Sequence, residues 1–184
     1  KLRGIEVARG EIFPGQYLAM NPGGAVETLT GIDTTEPAFG LPATWIPEGQ
    51  KMFAEIAGYT VVDPTTVLIT HLSELVRRHG AELVTRQETQ ALIDAAREEA
   101  PTVVGELIPE LMGIGDVQKV LQNLLAERVS IKDIVTILES LADYAGATKD
   151  TDVLTEYVRQ RLSLALSRQY QGHDGKLTVI ALHP

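Results

Sequence analysis

Four histidines, His71, His79, His173 and His183, are the first residues to test for chemistry. A helical metal clamp sets two imidazoles one turn apart, at i and i+4. His71 and His79 are eight residues apart and no other histidine is near them in sequence. They read as surface or boundary side chains, not ligands. A serine nucleophile on a strand-to-helix elbow needs G-x-S-x-G, which is absent. The phosphate-cradling G-x-x-x-x-G-K-S/T loop is absent too. Gly4, Gly10 and Gly15 lack the strand–turn–helix context of a dinucleotide site. Glu98 and Glu99 fall at a predicted helix end and read as solvated surface. Nothing brings a base, a nucleophile and an oxyanion donor together. The expectation is a chain without enzymatic activity, cofactor or metal.

The chemistry that remains is recognition. Residues 31–46 gather a carboxylate (Glu36), an aromatic (Phe39), two prolines, Gly40 and the single tryptophan, Trp45. Proline fixes φ and glycine supplies dihedrals other residues avoid, so such a loop can hold a side chain in place without a helix beneath it. Two readings of Phe39 stand side by side. It plugs the underside of its own loop, or it is an exposed anchor of the kind that dominates interfaces. Trp45 and Tyr59 read as core residues, each with a polar atom at the rim.

The elements around this loop are short strands, turns and two helices. Residues 2–12 read as extended, with Ile5 and Val7 on one face. Residues 21–24 (NPGG) signal a turn, and residues 43–46 and 59–62 read as strands. Residues 48–57 read as a helix with Met52, Phe53 and Ile56 on one side, ended by Gly58. Asp63 and Pro64 suit the cap and first turn of a second helix, running to His79 and stopping at Gly80. On it, Leu68, Leu72, Leu75, Val76 and His79 share one side and Thr70, Ser73, Glu74 and Arg77 the other. Thr70 is therefore expected to project away from the core.

Near residue 85 the chain changes character and becomes helical as far as Gly172. Thr85 and Glu88 form a capping box for a helix ending before Pro101. A broken helical stretch, 102–112, carries Pro109. Val117, Val120, Leu121, Leu124 and Leu125 make one apolar stripe. Ile131, Ile134, Leu138, Leu141 and Ala145 make another, closed by Gly146. Asp150 or Thr151 caps a long last helix, 152–170. Residues 172–175 read as a turn and 176–181 as a strand without a partner.

Composition bounds the rest. The chain has 184 residues, 44% hydrophobic and 5% aromatic, which allows one large domain or two small ones with aliphatic cores. Sixteen basic against twenty-five acidic residues give a formal charge of −9, which argues against nucleic acid and anionic membrane surfaces as partners. There are no cysteines, so disulfides and thiolate chemistry are excluded. No apolar run reaches the roughly 18 residues of a membrane span, and the chain is expected to be soluble. It begins at Lys1 in a strand-like run and ends beside another, and so reads as a piece of a longer protein.

Nine stretches in order resemble the cytoplasmic domain of the FlhA-type flagellar export-gate family, part of the type III secretion apparatus. They are residues 4–11, 17–23, 36–43, 58–63, 70–72, 86–88, 119–125, 137–139 and 154–159. The resemblance implies an α+β, multi-subdomain fold. A small α/β subdomain (1–14 and 64–83) holds an inserted α+β subdomain (15–63). An all-helical subdomain (84–163) follows, then the start of a truncated α/β subdomain (164–184). It implies a membrane-anchored parent in the bacterial inner membrane, with this part on the cytoplasmic side, forming a homo-oligomeric ring. Implied partners are flagellar export chaperones with bound substrates and other export-apparatus components. The implied chaperone-docking residues are Glu36, Phe39 and Thr70; where some family members carry Asp, this chain has Glu36. The alternatives are a virulence injectisome homologue and a structural ring-building module without cargo recognition.

Overall fold

A computed structural model describes residues 1–25, 27–172 and 174–179. The chain divides into two compact units, Lys1–Arg78 and His79–Pro184. The first is built on four antiparallel strands: β1 (Gln16–Met20), β2 (Ile32–Thr35), β3 (Pro42–Pro47) and β4 (Thr60–Val62), in the order β2-β3-β1-β4. Leu18 pairs with Trp45 on one side and Val62 on the other. Side chains alternate along a strand, so the two sheet faces have separate cores. Leu18, Ala43 and Trp45 pack with Val67 of helix α2 (Pro64–Arg78), with Phe13 at the margin of the group. Ala19 and Ile46 pack with Leu29 and with Ala54 of helix α1 (Lys51–Ile56).

The turn at Asn21 is closed by its own side chain, whose Oδ1 accepts from the Gly23 and Ala25 amides. Asp63 caps α2 as its sequence suggests. Its carboxylate accepts from the Thr66 amide at 3.0 Å and the Thr66 hydroxyl at 2.6 Å. These bonds, the hydroxyl's above all, hold its pKa below the ordinary 3.8.

Three expectations for this unit are corrected. Residues 2–12 form no strand. Arg3 and Gly4 take positive φ and turn the chain back, leaving one Leu2–Ile5 bridge with Ile5 exposed. The apolar side of α1 faces outward: Met52, Phe53 and Ile56 are exposed, and the small Ala54 meets the sheet. On α2, Leu68, Leu72 and Val76 are exposed as well, while Val67 and Glu74 are buried.

The second unit is helical: α3 (Gly80–Leu83), α4 (Arg86–Glu99), α5 (Pro101–Leu107), α6 (Ile114–Ala126), α7 (Ile134–Tyr144), α8 (Thr151–Arg161) and α9 (Ser163–Gln169). Its core joins Ile93, Val104, Leu107, the α6 stripe Val117–Val120–Leu121–Leu124, the α7 stripe Ile137–Leu138–Leu141, and Leu154 and Val158 of α8. Local side chains start the helices. The Glu88 amide donates to Thr85 Oγ1, the Thr136 amide to Asp133, and the Asp152 and Val153 amides to Asp150. Gly113 donates its amide to the Asp116 carboxylate at the head of α6.

The expected single last helix is two. The α8 stripe Leu154–Val158–Leu162 turns inward, and at Leu162 the backbone leaves helical dihedrals (φ −81°, ψ 4°). Beyond it, α9 buries no residue completely. Residues 176–179 carry no strand, and the rest of the strand expected there, Ile180 and Ala181, lies outside the described residues.

Candidate functional site: the Phe39 loop

At the open end of the hairpin between β2 and β3, the chain can pass close to the Trp45 backbone because residue 31 is glycine. A Cβ there would stand 2.1 Å from the Trp45 carbonyl oxygen. At the tip, the Glu36 amide donates to the Leu41 carbonyl at 2.8 Å and the Gly40 amide to the Glu36 carbonyl at 2.9 Å. Gly40 takes φ +73°, a region in which glycine alone is at ease.

Glu36 lies inside this turn, 3% exposed. A buried carboxylate is costly unless its oxygens are hydrogen-bonded. Here Oε1 accepts from the Ala38 amide at 2.9 Å and Oε2 from the Phe39 amide at 2.7 Å. Ala38 fills the underside of the loop and is buried, while Phe39 is 60% exposed. The plug reading of Phe39 is thus overturned: the small residue before it takes that place, and the ring faces outward. Leu41 adds exposed apolar surface next to it.

Helix α2 supports the loop from outside. The Arg78 Nη2 donates to the Ala38 carbonyl at 2.6 Å, and its Nε donates to Glu74 Oε1 at 3.1 Å. Arg77 Nη1 donates to Glu74 Oε2 at 3.1 Å. Pro37 and His71 approach one another across Gly10, where an added Cβ would meet Pro37 Cβ at 3.2 Å and His71 Cδ2 at 3.7 Å.

Thr70 is half-buried, on the side of α2 that carries Val67, His71 and Glu74. That corrects the expectation that it projects away from the core: the buried residues of α2 are Val67 and Glu74, not the leucines. Glu36 and Phe39 are joined directly. No hydrogen bond links Thr70 to either among the described residues. His71 has a buried Nδ1 without a hydrogen-bond partner among the described residues, and His79 Nδ1 lies 2.8 Å from Glu82 Oε1. Among the described residues, no group of three or more His, Asp or Glu side chains is placed to hold a metal ion.

Sequence reasoning missed Glu74 and Arg78. A Glu four residues before an Arg is a recognisable helical ion pair. Its connection to Ala38, forty residues away, leaves no local signature.

A small four-stranded sheet unit and a helical unit are the fold of cytosolic domains of type III secretion export gates. The CdsV protein of Chlamydia pneumoniae matches with a TM-score of 0.74 and 32% identity, over 92% of this chain and 48% of that one. Its complex with CdsO matches at 0.73 and 33%, over 88% and 49%. The nonameric EscV cytosolic domain from the type III secretion system matches at 0.62 and 27%, over 86% and 47%.

The chain belongs to the FHIPEP family, whose model matches residues 1–184. It is 48% identical to the flagellar biosynthesis protein FlhA of Bacillus subtilis over 180 residues, 98% of this chain and 27% of that protein. It is 44% identical to FlhA of Escherichia coli over 181 residues, 98% of this chain and 26% of that protein. The chain therefore spans about a quarter of the curated relatives it matches.

Proposed function

We propose that this chain is the docking part of a flagellar type III export gate and receives export chaperones carrying their substrates. The observation that carries the reading is Phe39, an aromatic 60% exposed on a loop whose backbone is tied down on both sides. Aromatic anchors held rigidly are the usual centres of binding energy, because little freedom is lost when a partner covers them. The partner lays apolar side chains against Phe39 and Leu41. Thr70 offers its hydroxyl near the Val67 stripe, and Glu36 contributes through the shape of the loop. The same reading divides the chain as 1–14 with 64–83, 15–63, 84–163 and 164–184.

The parent protein, in this reading, sits in the bacterial inner membrane with this part on the cytoplasmic side, and builds a homo-oligomeric ring. The nonameric EscV domain and the CdsV–CdsO complex support a ring and contacts with other export components. Identity near one half with flagellar relatives, against about one third or less with the CdsV and EscV structures, favours flagellar over injectisome cargo. The role is non-catalytic and needs no cofactor, and a charge of −9 disfavours nucleic acid.

Calorimetric titration with a flagellar chaperone–substrate complex tests this. Phe39→Ala should weaken binding about thirtyfold, the size of a typical hot spot. Equal affinity of the two chains would sink the assignment. Binding by neither would favour a ring-building module without cargo recognition.

A further inference from the structure

The peptide unit between Ala38 and Phe39 is gripped at both ends by opposite charges. Its carbonyl oxygen accepts from the Arg78 guanidinium at 2.6 Å. Its N–H donates to the Glu36 carboxylate at 2.7 Å. A peptide unit is planar, so fixing its two ends fixes the plane. The plane is the one that enters Phe39, and its orientation sets the direction in which the Phe39 side chain leaves the backbone.

We infer that Arg78 is a positioning residue for Phe39, and that Glu74 positions Arg78. The inference rests on the docking reading for its functional consequence, and on geometry alone for its structural one. Hydrogen bonds with an ionised partner are about twice as strong as neutral ones, and this peptide has one at each end. Glu74 is 6% exposed and binds both Arg77 and Arg78. The planar guanidinium can serve Glu74 with Nε and Ala38 with Nη2 at once. A lysine ammonium is a single point and cannot span both acceptors in that fixed geometry. The orientation of the docking aromatic is therefore set from α2, through one arginine, rather than by the hairpin alone.

The test uses this 184-residue chain with Arg78→Ala, Arg78→Lys, Phe39→Ala and the double variant Phe39→Ala/Arg78→Ala. Two quantities are read: exchange of the Phe39 amide proton, and affinity for a flagellar chaperone–substrate complex. Both Arg78 variants should speed exchange at Phe39 about tenfold or more while amides of the β1–β3 ladder keep their protection. Arg78→Ala should weaken binding about tenfold, as expected for loss of one charge-assisted bond. The double variant should bind no worse than Phe39→Ala, since a residue that acts through Phe39 has nothing left to position. Should Arg78→Ala fail to fold, Arg78→Lys carries the exchange measurement. Unchanged exchange at Phe39, or losses that multiply in the double variant, would overturn the inference. Phe39→Ala binding like the unaltered chain would instead remove the docking reading and leave the exchange result to decide the role of Arg78.

Discussion

Glu36 and Asp63 are two carboxylates that accept from amides two or three residues ahead of them, and their surroundings give them different work. Glu36 is enclosed by its loop, both oxygens taken by Ala38 and Phe39. Asp63 is exposed at the head of α2, bound to the amide and hydroxyl of Thr66. The Thr66 hydroxyl contributes most to holding the Asp63 pKa below 3.8. A carboxylate whose pKa is lower folded than unfolded stabilises the fold above the unfolded value. That contribution fades as pH falls through the lower, folded value. The window therefore lies below about pH 4. Asparagine caps helices as well as aspartate but does not titrate there. Asp63→Asn should accordingly keep the neutral-pH unfolding midpoint and lose less of it between about pH 6 and about pH 3 than the unaltered chain. Equal losses in urea titrations at the two pH values would show that the Thr66 bonds do not couple the cap to folding.

The second helix shows what a sequence can and cannot decide about an element. Its start was legible, since Asp63, Pro64 and Thr66 act within one turn. So were the caps at Thr85 and Asp150, and the α6 and α7 stripes, where apolar residues lie on one side only. α2 has apolar residues on both sides, and the period of 3.6 cannot choose between them. The apolar count favours Leu68, Leu72, Leu75 and Val76, yet Val67 and Glu74 are the buried pair. Glu74 is tolerated there because Arg77 and Arg78 hydrogen-bond it, and that partnership extends to a loop no local pattern connects to it. The Phe39 loop was legible by composition, but the exposure of Phe39 was not, because it depends on Ala38 and Glu36 filling the space beneath. The two faces of α2 can be told apart by stability. Val67→Ala should cost about 2 kcal/mol from lost methyl burial and the space left behind. Leu72→Lys, at a position 58% exposed, should stay within about 0.5 kcal/mol. Equilibrium urea unfolding followed by Trp45 fluorescence measures both, and the opposite ranking would restore the leucine face as the core.

At the scale of the molecule, each unit carries its own core: two small clusters on the faces of one sheet before residue 79, and a single aliphatic cluster after it. Among the described residues, the clusters of the first unit and that of the second share no member. Cooperative unfolding follows shared burial, so units with separate cores are free to lose structure separately. The composition offers a way to watch them apart. The single tryptophan, Trp45, is buried in the first unit, so its fluorescence reports that unit. Seven of the nine described α-helices lie in the second, so far-ultraviolet circular dichroism is weighted toward it. Leu138 is fully buried in α7, and Leu138→Ala should cost about 3 kcal/mol. The dichroism midpoint in urea should fall, while the Trp45 midpoint stays where it is. Val67→Ala should do the reverse. A fluorescence midpoint that follows Leu138→Ala downward would mean that the two cores unfold as one.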